Sequence, residues 1–255
     1  MNKTREKQLE AFNKLLDVMD ELREKCPWDR KQTNESLRTL TLEEVYELSD
    51  AILSQDHQEI KKELGDVMLH LVFYSKIASE QNQFDIADVL NSLTEKLIFR
   101  HPHIYGETKV ESEKDVLENW EKLKLKEGNQ SVLSGVPTSL PSIVKAYRIQ
   151  DKVKGVGFEF ENAQQVWDKI KEEIIEFETE NNPIEKEKEL GDVLFSIINY
   201  ARFVGINPDD ALAKTNQKFI DRFQKLEKLA SEKGLEMGKI DLKTLDNLWN
   251  EAKKM

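Results

Sequence analysis

The chain has 255 residues, with 38 Lys and Arg against 49 Asp and Glu and a formal net charge of −11. That length fits one large domain or two small ones, and the acidic balance argues against general binding to nucleic-acid backbones, which requires a basic surface. The chain has only 10 glycines and 6 prolines, and such a low share of turn formers favours long helices over a β-sandwich or barrel.

Secretion and membrane insertion are also disfavoured. The single cysteine, Cys26, cannot form an internal disulfide. The first ten residues lack the apolar core of a signal peptide. The strongest apolar run, 67–78, is interrupted by His70, Ser75 and Lys76 and is too short to span a bilayer. We therefore predict a cytoplasmic helical protein with no membrane contact.

The first half of the chain has the apolar spacing of amphipathic helices, with apolar residues at i, i+3, i+4 and i+7. The breaks between the helices fall at Cys26-Pro27-Trp28, at Gln55-Asp56 and at the loop His101-Pro102-His103. The pattern predicts helices near 4–24, 35–54, 57–80, 84–99 and 113–126.

The second half shows the same spacing after a segment rich in Gly, Ser and Pro. We predict an N-terminal helical unit over 1–128, a linker over 129–141 and a C-terminal helical unit over 142–255. No convincing strand pattern occurs, so the predicted fold class is all-α. The helices of the second half are expected near 140–154, 162–180, 184–203, 208–233 and 242–254.

An internal repeat relates the two halves. The six letters KELGDV occur at 62–67 and again at 188–193. Upstream of them EEVYE is matched by EEIIE, downstream KLIFR is matched by KFIDR, and further on Trp120 is matched by Trp249. Four landmarks in the same order indicate a tandem duplication of one helical unit.

The repeated acidic residues have the spacing of a metal site. Residues three or four apart share a helix face, and a short loop joins the two helices of each unit, so four carboxylates should converge. A solvated acidic face is the alternative for any single Glu-x-x-Glu pair, but here the set is duplicated and lies among apolar residues. The eight candidates are Glu44, Glu47, Glu63 and Asp66 in the first unit and Glu173, Glu176, Glu189 and Asp192 in the second.

The donor set favours Mg²⁺. Oxygen-only ligands suit hard divalent cations, whereas zinc sites use Cys or His. A di-iron bundle would need a Glu-x-x-His motif on two helices, and none occurs. His70 is expected to be a local hydrogen-bonding residue. Gly65 and Gly191 lie beside the acidic pairs, which predicts that a helix or a ligand approaches the backbone closely there.

Basic pairs follow the acidic helices in both units. Lys96 with Arg100 and Lys218 with Arg222 are i,i+4 pairs. Lysine and arginine together form a plausible clamp for phosphate oxygens. Trp120 and Trp249 are most simply core or interface residues, and stacking on a base is the alternative.

In combination these motifs resemble the MazG family. The segments CPWDRKQTNESL, EEVYELSDAI, KELGDVMLHLVFY, RHPHIYG, GVPTSLPSIVKAYRIQDKVKGVGF, KFIDRF and LWNEAK carry the resemblance. It implies an all-α nucleoside triphosphate pyrophosphohydrolase that cleaves between the α and β phosphates, giving a nucleoside monophosphate and pyrophosphate, with broad base acceptance. It further implies Mg²⁺, for which Mn²⁺ can substitute, and a homodimer.

The resemblance also assigns residues. The family's nucleotide-binding KFxxR and tryptophan fall on Lys218, Phe219, Arg222 and Trp249, and its metal pattern falls on the carboxylates named above. The first unit departs at Phe99, which stands where the second unit has Asp221. Its nucleotide binding is therefore expected to be weaker.

A mechanism follows from these assignments. A water activated by a spare carboxylate, Glu172 or Glu43, would attack phosphorus. Lys169 and Lys186 would contact phosphates from the rim of the site. The alternative function is a nucleotide- or metal-binding regulatory or adaptor protein with little or no turnover.

Overall fold

The computed structural model describes residues 3–112, 116, 119, 123 and 131–254. All regular elements within these residues are helices, so the predicted all-α class is confirmed. The chain divides into two compact units, unit 1 (Met1–Lys109) and unit 2 (Val110–Met255). Most of the helix expected near 113–126 lies outside the described residues, and so does Trp120.

Unit 1 follows the predicted order of helices. Its second helix begins at a capping box in which the Thr33 side chain and Ser36 bond each other's backbone N–H, and it ends at Gln55 in the left-handed conformation (φ 58°). Asp56 then caps the third helix. The elements are α1 (Lys3–Lys25), a 3-10 turn (Asp29–Lys31), α2 (Asn34–Ser54), α3 (His57–Glu80), α4 (Ile86–Arg100) and α5 (Pro102–Tyr105).

The short helix α5 lies where a loop was expected. His101 ends α4, and Pro102 occupies the first position of α5. Proline suits that position because its missing N–H would have no partner inside the helix and its fixed φ is helical. The sequence signal for a break was therefore correct, but the chain resumes a single helical turn at once.

The core of unit 1 joins α1, α2 and α3. Complete burial of one large apolar side chain contributes about 1.5–3 kcal/mol to the stability of the fold. The Arg23 guanidinium lies over the Phe73 ring, 5.5 Å from its centroid, and forms a salt bridge with Glu80. The buried residues of this cluster are Met19, Leu37, Val72, Phe73 and Ile77.

Unit 2 is built from five helices within the described residues. Asparagine caps start three of them, and at Asn182 and Asn207 a proline follows at the first helical position. The helices are α6 (Ser142–Lys154), α7 (Ala163–Thr179), α8 (Pro183–Phe203), α9 (Pro208–Glu232) and α10 (Leu242–Ala252).

The main apolar cluster of unit 2 lies between α9 and α10. Leu226, Leu229, Ala230, Leu248 and Ala252 are buried there, with Trp249 packed against them. At the other end of the unit, part of the predicted linker is held by α6. The buried Lys152 ammonium donates to the carbonyl oxygens of Val132 and Ser134, at 3.1 and 3.0 Å. Residues 132–134 thus belong structurally to unit 2.

Each unit contains one long hairpin, α2 with α3 and α7 with α8. One side of each hairpin presents the acidic residues, and the next face along α3 and α8 carries a solvent-exposed apolar stripe at the same repeat positions. The stripe residues are Leu64, Met68 and Leu71 on α3 and Leu190, Leu194 and Ile197 on α8.

Among the helices that the structure describes, none has the length and apolar composition of a membrane span.

The two hairpin glycines correct one expectation. A Cβ added at Gly65 or at Gly191 would meet no heavy atom of the described chain within 4 Å beyond the neighbouring residues and backbone of its own helix. The predicted close approach of another helix is therefore wrong within the described residues, and the approach of a ligand, which the prediction also allowed, stays a prediction. Both glycines instead border open space next to the apolar stripes.

Candidate metal and nucleotide site

The hairpin of unit 1 brings three carboxylates together. Glu44 comes from α2, and Glu63 and Asp66 come from α3. One oxygen of each lies within 4.8 Å of the others. We call this group acidic cluster 1. Burial and the nearby charges of Asp66, Glu47 and Glu63 raise the pKa of Glu44, as expected for like charges held close together.

Acidic cluster 1 contains a carboxylate oxygen that lacks a partner. Glu63 is 3% exposed. Its Oε1 accepts from Lys62 at 2.8 Å, but its Oε2 is buried and no protein group of the described chain bonds to it. A buried carboxylate oxygen without a donor is costly, and a hard cation held by carboxylates would satisfy it. The residues present therefore fit a divalent metal.

The hairpin of unit 2 builds a second group, acidic cluster 2. Glu173 and Glu176 from α7 and Glu189 from α8 have oxygens within 4.8 Å of one another. Partial burial, followed by the charges of Glu176 and Asp192, raises the pKa of Glu189. The repeat thus places the same chemistry on the same two helices of each unit.

A lysine contacts acidic cluster 2 from α7. Lys169 Nζ lies 2.7 Å from Glu173 and 2.8 Å from Glu172. Hydrogen bonds to these two carboxylates raise the pKa of Lys169 further above its ordinary value, so it stays charged. Glu173 itself is buried.

The remaining predicted acidic residues lie close by but outside the two groups. The charge of Glu47 helps to raise the pKa of Glu44, and the charge of Asp192 helps to raise the pKa of Glu189. Neither belongs to a group of mutually close oxygens. Glu43 and Glu172, the candidate bases, are solvent-exposed, and Glu172 is paired with Lys169.

His70 forms local hydrogen bonds, as predicted. Its Nδ1 lies 2.8 Å from the Thr41 hydroxyl, which also lies 2.6 Å from the Tyr74 hydroxyl. Burial lowers the pKa of His70 despite the neighbouring charge of Asp66. The imidazole is therefore neutral at pH 7, and its Nδ1 is engaged by Thr41.

The basic pair of unit 2 lines a separate cavity of ≈ 370 Å³ between α9 and α10. Lys218 and Arg222 are joined there by three further lysines, Lys214, Lys225 and Lys253. None of the carboxylates of acidic cluster 2 is among the residues that line it. Within one chain, Lys218 and Arg222 thus face a different cavity from Glu173 and Asp192.

Arg222 is positioned by aromatic contacts. Its guanidinium lies 5.1 Å from the centroid of Trp249, and Phe219 packs against the same indole at 5.1 Å. Trp249 is half-buried in the α9–α10 cluster. The indole thus has the packing role expected of a core residue, and it holds the guanidinium at the basic cavity through a cation–π contact.

The remaining basic candidates are Lys186 in unit 2 and Lys96 and Arg100 in unit 1. Lys186 donates to the Glu180 carbonyl at 3.1 Å and lies over the Phe177 ring, so it is engaged at the α7–α8 turn. In unit 1, Lys96 is exposed and Arg100 is the last residue of α4.

A cavity of ≈ 490 Å³ in unit 2 was not anticipated from the sequence. Glu173, Asp192 and Lys169 line one part of it, and residues of α6, of the following loop and of α8 line the rest. The segment KGVGF was part of the sequence resemblance, but its letters gave no indication of a cavity. The buried Gln150 and Arg202 line it as well, and no sequence pattern assigned a role to either side chain.

Comparison with known proteins agrees with the geometry of both hairpins. The profile of the MazG nucleotide pyrophosphohydrolase domain matches residues 32–105 and 160–226, which contain acidic clusters 1 and 2 respectively. The chain is 41% identical over 247 residues to the nucleoside triphosphate pyrophosphohydrolase/pyrophosphatase MazG of Thermotoga maritima, covering 95% of each chain. It is 37% identical over 258 residues to the nucleoside triphosphate pyrophosphohydrolase of Escherichia coli K12, covering 96% of this chain and 98% of the other.

Proposed function

Because this chain belongs to the MazG nucleotide pyrophosphohydrolase domain family, we propose that it hydrolyses nucleoside triphosphates to a nucleoside monophosphate and pyrophosphate. The observation that carries the proposal is the convergence of Glu173, Glu176 and Glu189 beside a cavity large enough for a small molecule. Relatives that span nearly the whole chain carry the name of this activity. Hydrolysis is proposed to be broad in base.

The proposed cofactor is Mg²⁺, with Mn²⁺ as a substitute. Glu173, Glu176, Glu189 and Asp192 would hold it in unit 2, and the corresponding set Glu44, Glu47, Glu63 and Asp66 would hold it in unit 1. When bound, such an ion neutralises phosphate charge and lowers the pKa of a coordinated water. The support is a carboxylate-only donor set and the unpartnered Glu63 Oε2.

The protein residues have distinct proposed roles. Glu172 or Glu43 accepts the proton of the attacking water. Lys169, already in contact with Glu173, is placed to meet a phosphate oxygen at the edge of acidic cluster 2. Lys218 and Arg222 neutralise the charge that develops on the departing pyrophosphate.

The separation of the two cavities of unit 2 supports a homodimer. Lys218 and Arg222 face one cavity and Glu173 and Asp192 face the other. A second chain packed on the stripe Leu190, Leu194 and Ile197 would cover exposed apolar surface. It would also fill the open space at Gly191.

The homodimer is tested by light scattering after gel filtration. We expect twice the mass of the 29.7 kDa chain for the wild type. Leu194→Glu, which places a charge on the stripe, should give a monomer, while the exposed Gln164→Glu on α7 serves as the control. A monomeric wild type would contradict the proposed dimer.

A second candidate function, a nucleotide- or metal-binding adaptor, is separated from the enzyme by product analysis. Phosphorus NMR of each of the four ribonucleoside triphosphates, incubated with the protein and Mg²⁺, distinguishes the cleaved bond. We expect monophosphate and pyrophosphate signals in equal amounts from all four. Diphosphate and orthophosphate would show a different hydrolase, and unchanged substrate with measurable binding would favour the adaptor.

A further inference from the structure

The cavity of unit 2 contains buried polar atoms without partners. Gln150 on α6 is 4% exposed and Arg202 on α8 is 7% exposed. Gln150 Oε1 and the Nε and Nη1 of Arg202 have no hydrogen-bond partner in the described chain. Both side chains line the cavity. One acceptor and two donors therefore remain unpaired in residues that line a half-open cavity.

These atoms are held in place by their other contacts. Gln150 Nε2 donates to the Phe195 carbonyl at 2.8 Å. Arg202 Nη2 donates to Glu159 at 2.7 Å and to Asn199 Oδ1 at 2.9 Å. The side chains thus cannot swing out to solvent without losing these bonds. A fixed but unsatisfied set of this kind is costly to keep unless a ligand completes it.

The rest of the cavity suits a flat, partly apolar ligand. Phe158, Phe160 and Phe195 line it, and aromatic side chains are the usual surfaces on which nucleobases stack. Its ≈ 490 Å³ falls within the range of small-molecule sites, about 300–1,000 Å³. Glu173 and Asp192 lie at the same cavity, so a ligand there sits beside acidic cluster 2.

Unit 1 carries different side chains at two positions that line this cavity in unit 2. In the repeat, Phe73 stands at the position of Asn199 and Lys76 at that of Arg202. Phe73 is 2% exposed and belongs to the apolar core, and Lys76 pairs at the surface with Asp20. The counterpart positions thus hold a core ring and a surface cation. Lys76 lines the smaller cavity of unit 1, which no residue of acidic cluster 1 lines.

We propose that the unit 2 cavity receives the base and sugar of the nucleoside triphosphate, with Gln150 and Arg202 hydrogen-bonding the edge of the base. This inference rests on the proposed function and adds to it the residues that grade one base against another. Every nucleobase offers at least one donor and one acceptor, so all four can enter. Their different edges then pair unequally with one acceptor and two donors.

The first test fills the cavity. Asn199→Phe introduces the residue that unit 1 carries at the same repeat position, and Val153→Phe fills the space from α6 without removing a polar contact. We expect either variant to raise the Kd of an α,β-methylene nucleoside triphosphate at least about tenfold, the equivalent of losing one good contact. Gln164→Phe, on the exposed outer face of α7, is the control. Calorimetry measures the Kd, and melting curves establish that each variant is folded.

Mn²⁺ binding in the absence of nucleotide is measured on the same samples. Unchanged Mn²⁺ affinity together with weaker analogue binding supports the proposal, because the acidic clusters are then intact. An unchanged analogue Kd in a folded Val153→Phe variant overturns it. Because this measurement uses no turnover, it is independent of whether the wild type releases pyrophosphate.

The second test reads the base edge. Gln150→Leu removes the free acceptor, and we expect the ratios of kcat/KM among the four ribonucleoside triphosphates to change by at least about threefold, since the bases differ in their donors. Arg222→Ala, which acts on phosphate, should lower all four by a common factor. A common factor for Gln150→Leu as well would overturn the assignment of this residue to the base. A wild type that releases no pyrophosphate would instead refute the proposed function.

Discussion

The two units keep the same acidic hairpin but surround it differently. In unit 1 the core packs Phe73 among Met19, Leu37 and Val72, and the cavity of ≈ 190 Å³ found in that unit is not lined by any residue of acidic cluster 1. In unit 2 a cavity of ≈ 490 Å³ adjoins acidic cluster 2. The comparison teaches that duplication preserved a three-carboxylate group in both units, whereas the larger cavity lies beside the group of unit 2.

The lysine that pairs with the acidic cluster also has a different position in each unit. Lys62, adjacent in sequence to Glu63, lies on α3 and is itself exposed. Lys169, one turn before Glu173 on α7, also lines the cavity. A lysine that faces the cavity can meet a phosphate group, whereas an exposed one chiefly neutralises its neighbour. We therefore infer that unit 2 carries the activity.

Removal of the metal should have the largest effect on activity, because both acidic clusters are proposed to hold it. We expect pyrophosphate release to fall to the background rate in excess EDTA and to return when Mg²⁺ or Mn²⁺ is restored in excess. Coupled pyrophosphate detection measures the rate, and atomic emission checks that the protein is free of metal. Full turnover by metal-free protein would contradict the role given to both clusters.

Loss of the phosphate-binding arginine should separate the units more sharply. Arg222→Ala is expected to lower kcat/KM by about ten- to a hundredfold, the effect of losing a charge-assisted contact worth roughly 1.5–3 kcal/mol. Arg222 is held at a basic cavity by Trp249. The matched variant Arg100→Ala, at the end of α4, should change kcat/KM several-fold at most.

Steady-state kinetics on both arginine variants provides the measurement, with circular dichroism as the check on folding. An equal or larger loss for Arg100→Ala would mean that unit 1 supplies a main catalytic site or donates Arg100 to the other site.

Replacing one carboxylate of a cluster by an amide should have the smallest effect, a shift in the melting temperature of the metal-free protein. The shift should be similar for the two units. Partial burial and like charges raise the pKa of Glu189, and the same two causes raise the pKa of Glu44. A carboxyl group whose pKa is higher in the folded than in the unfolded state stabilises the fold fully below its ordinary pKa of 4.5. This stabilisation is lost as the pH rises through the raised pKa of the folded state. Glu189→Gln and Glu44→Gln should therefore each raise the metal-free melting temperature at pH 7 by a few degrees.

That gain should shrink as the pH falls through the raised pKa values, and near pH 4.5 it should be clearly smaller because the native glutamates are then largely neutral. Differential scanning fluorimetry in chelator at the two pH values measures it. A lower melting temperature at pH 7 for both variants would show that these carboxylates stabilise the fold instead of repelling one another.

The helices and the acidic hairpins could be predicted from the sequence because their signals are local. Apolar spacing, asparagine and aspartate caps and the repeated KELGDV fix where α3 and α8 lie, and i,i+3 spacing places Glu63 beside Asp66. The convergence of three carboxylates in each unit follows from a short turn between two helices. The break at His101-Pro102 was equally visible.

The cavity and the separation of the basic pair could not be predicted in this way. Gln150 and Arg202 are 52 residues apart in the sequence and meet only when α6 packs on α8. Whether a position such as 199 lines a cavity or fills a core depends on the volumes of all its neighbours.

Activity of the full chain with one cluster disabled at a time tests the central claim, that unit 2 performs the hydrolysis. Glu173→Gln and Glu44→Gln change repeat-equivalent carboxylates, each a member of a three-carboxylate group. We expect Glu173→Gln to lower the rate of pyrophosphate release from a nucleoside triphosphate by about a hundredfold or more, the effect of losing roughly 3 kcal/mol or more of stabilisation. Glu44→Gln should leave the rate within several-fold of wild type. The opposite order, or an equal loss from both substitutions, would contradict the account.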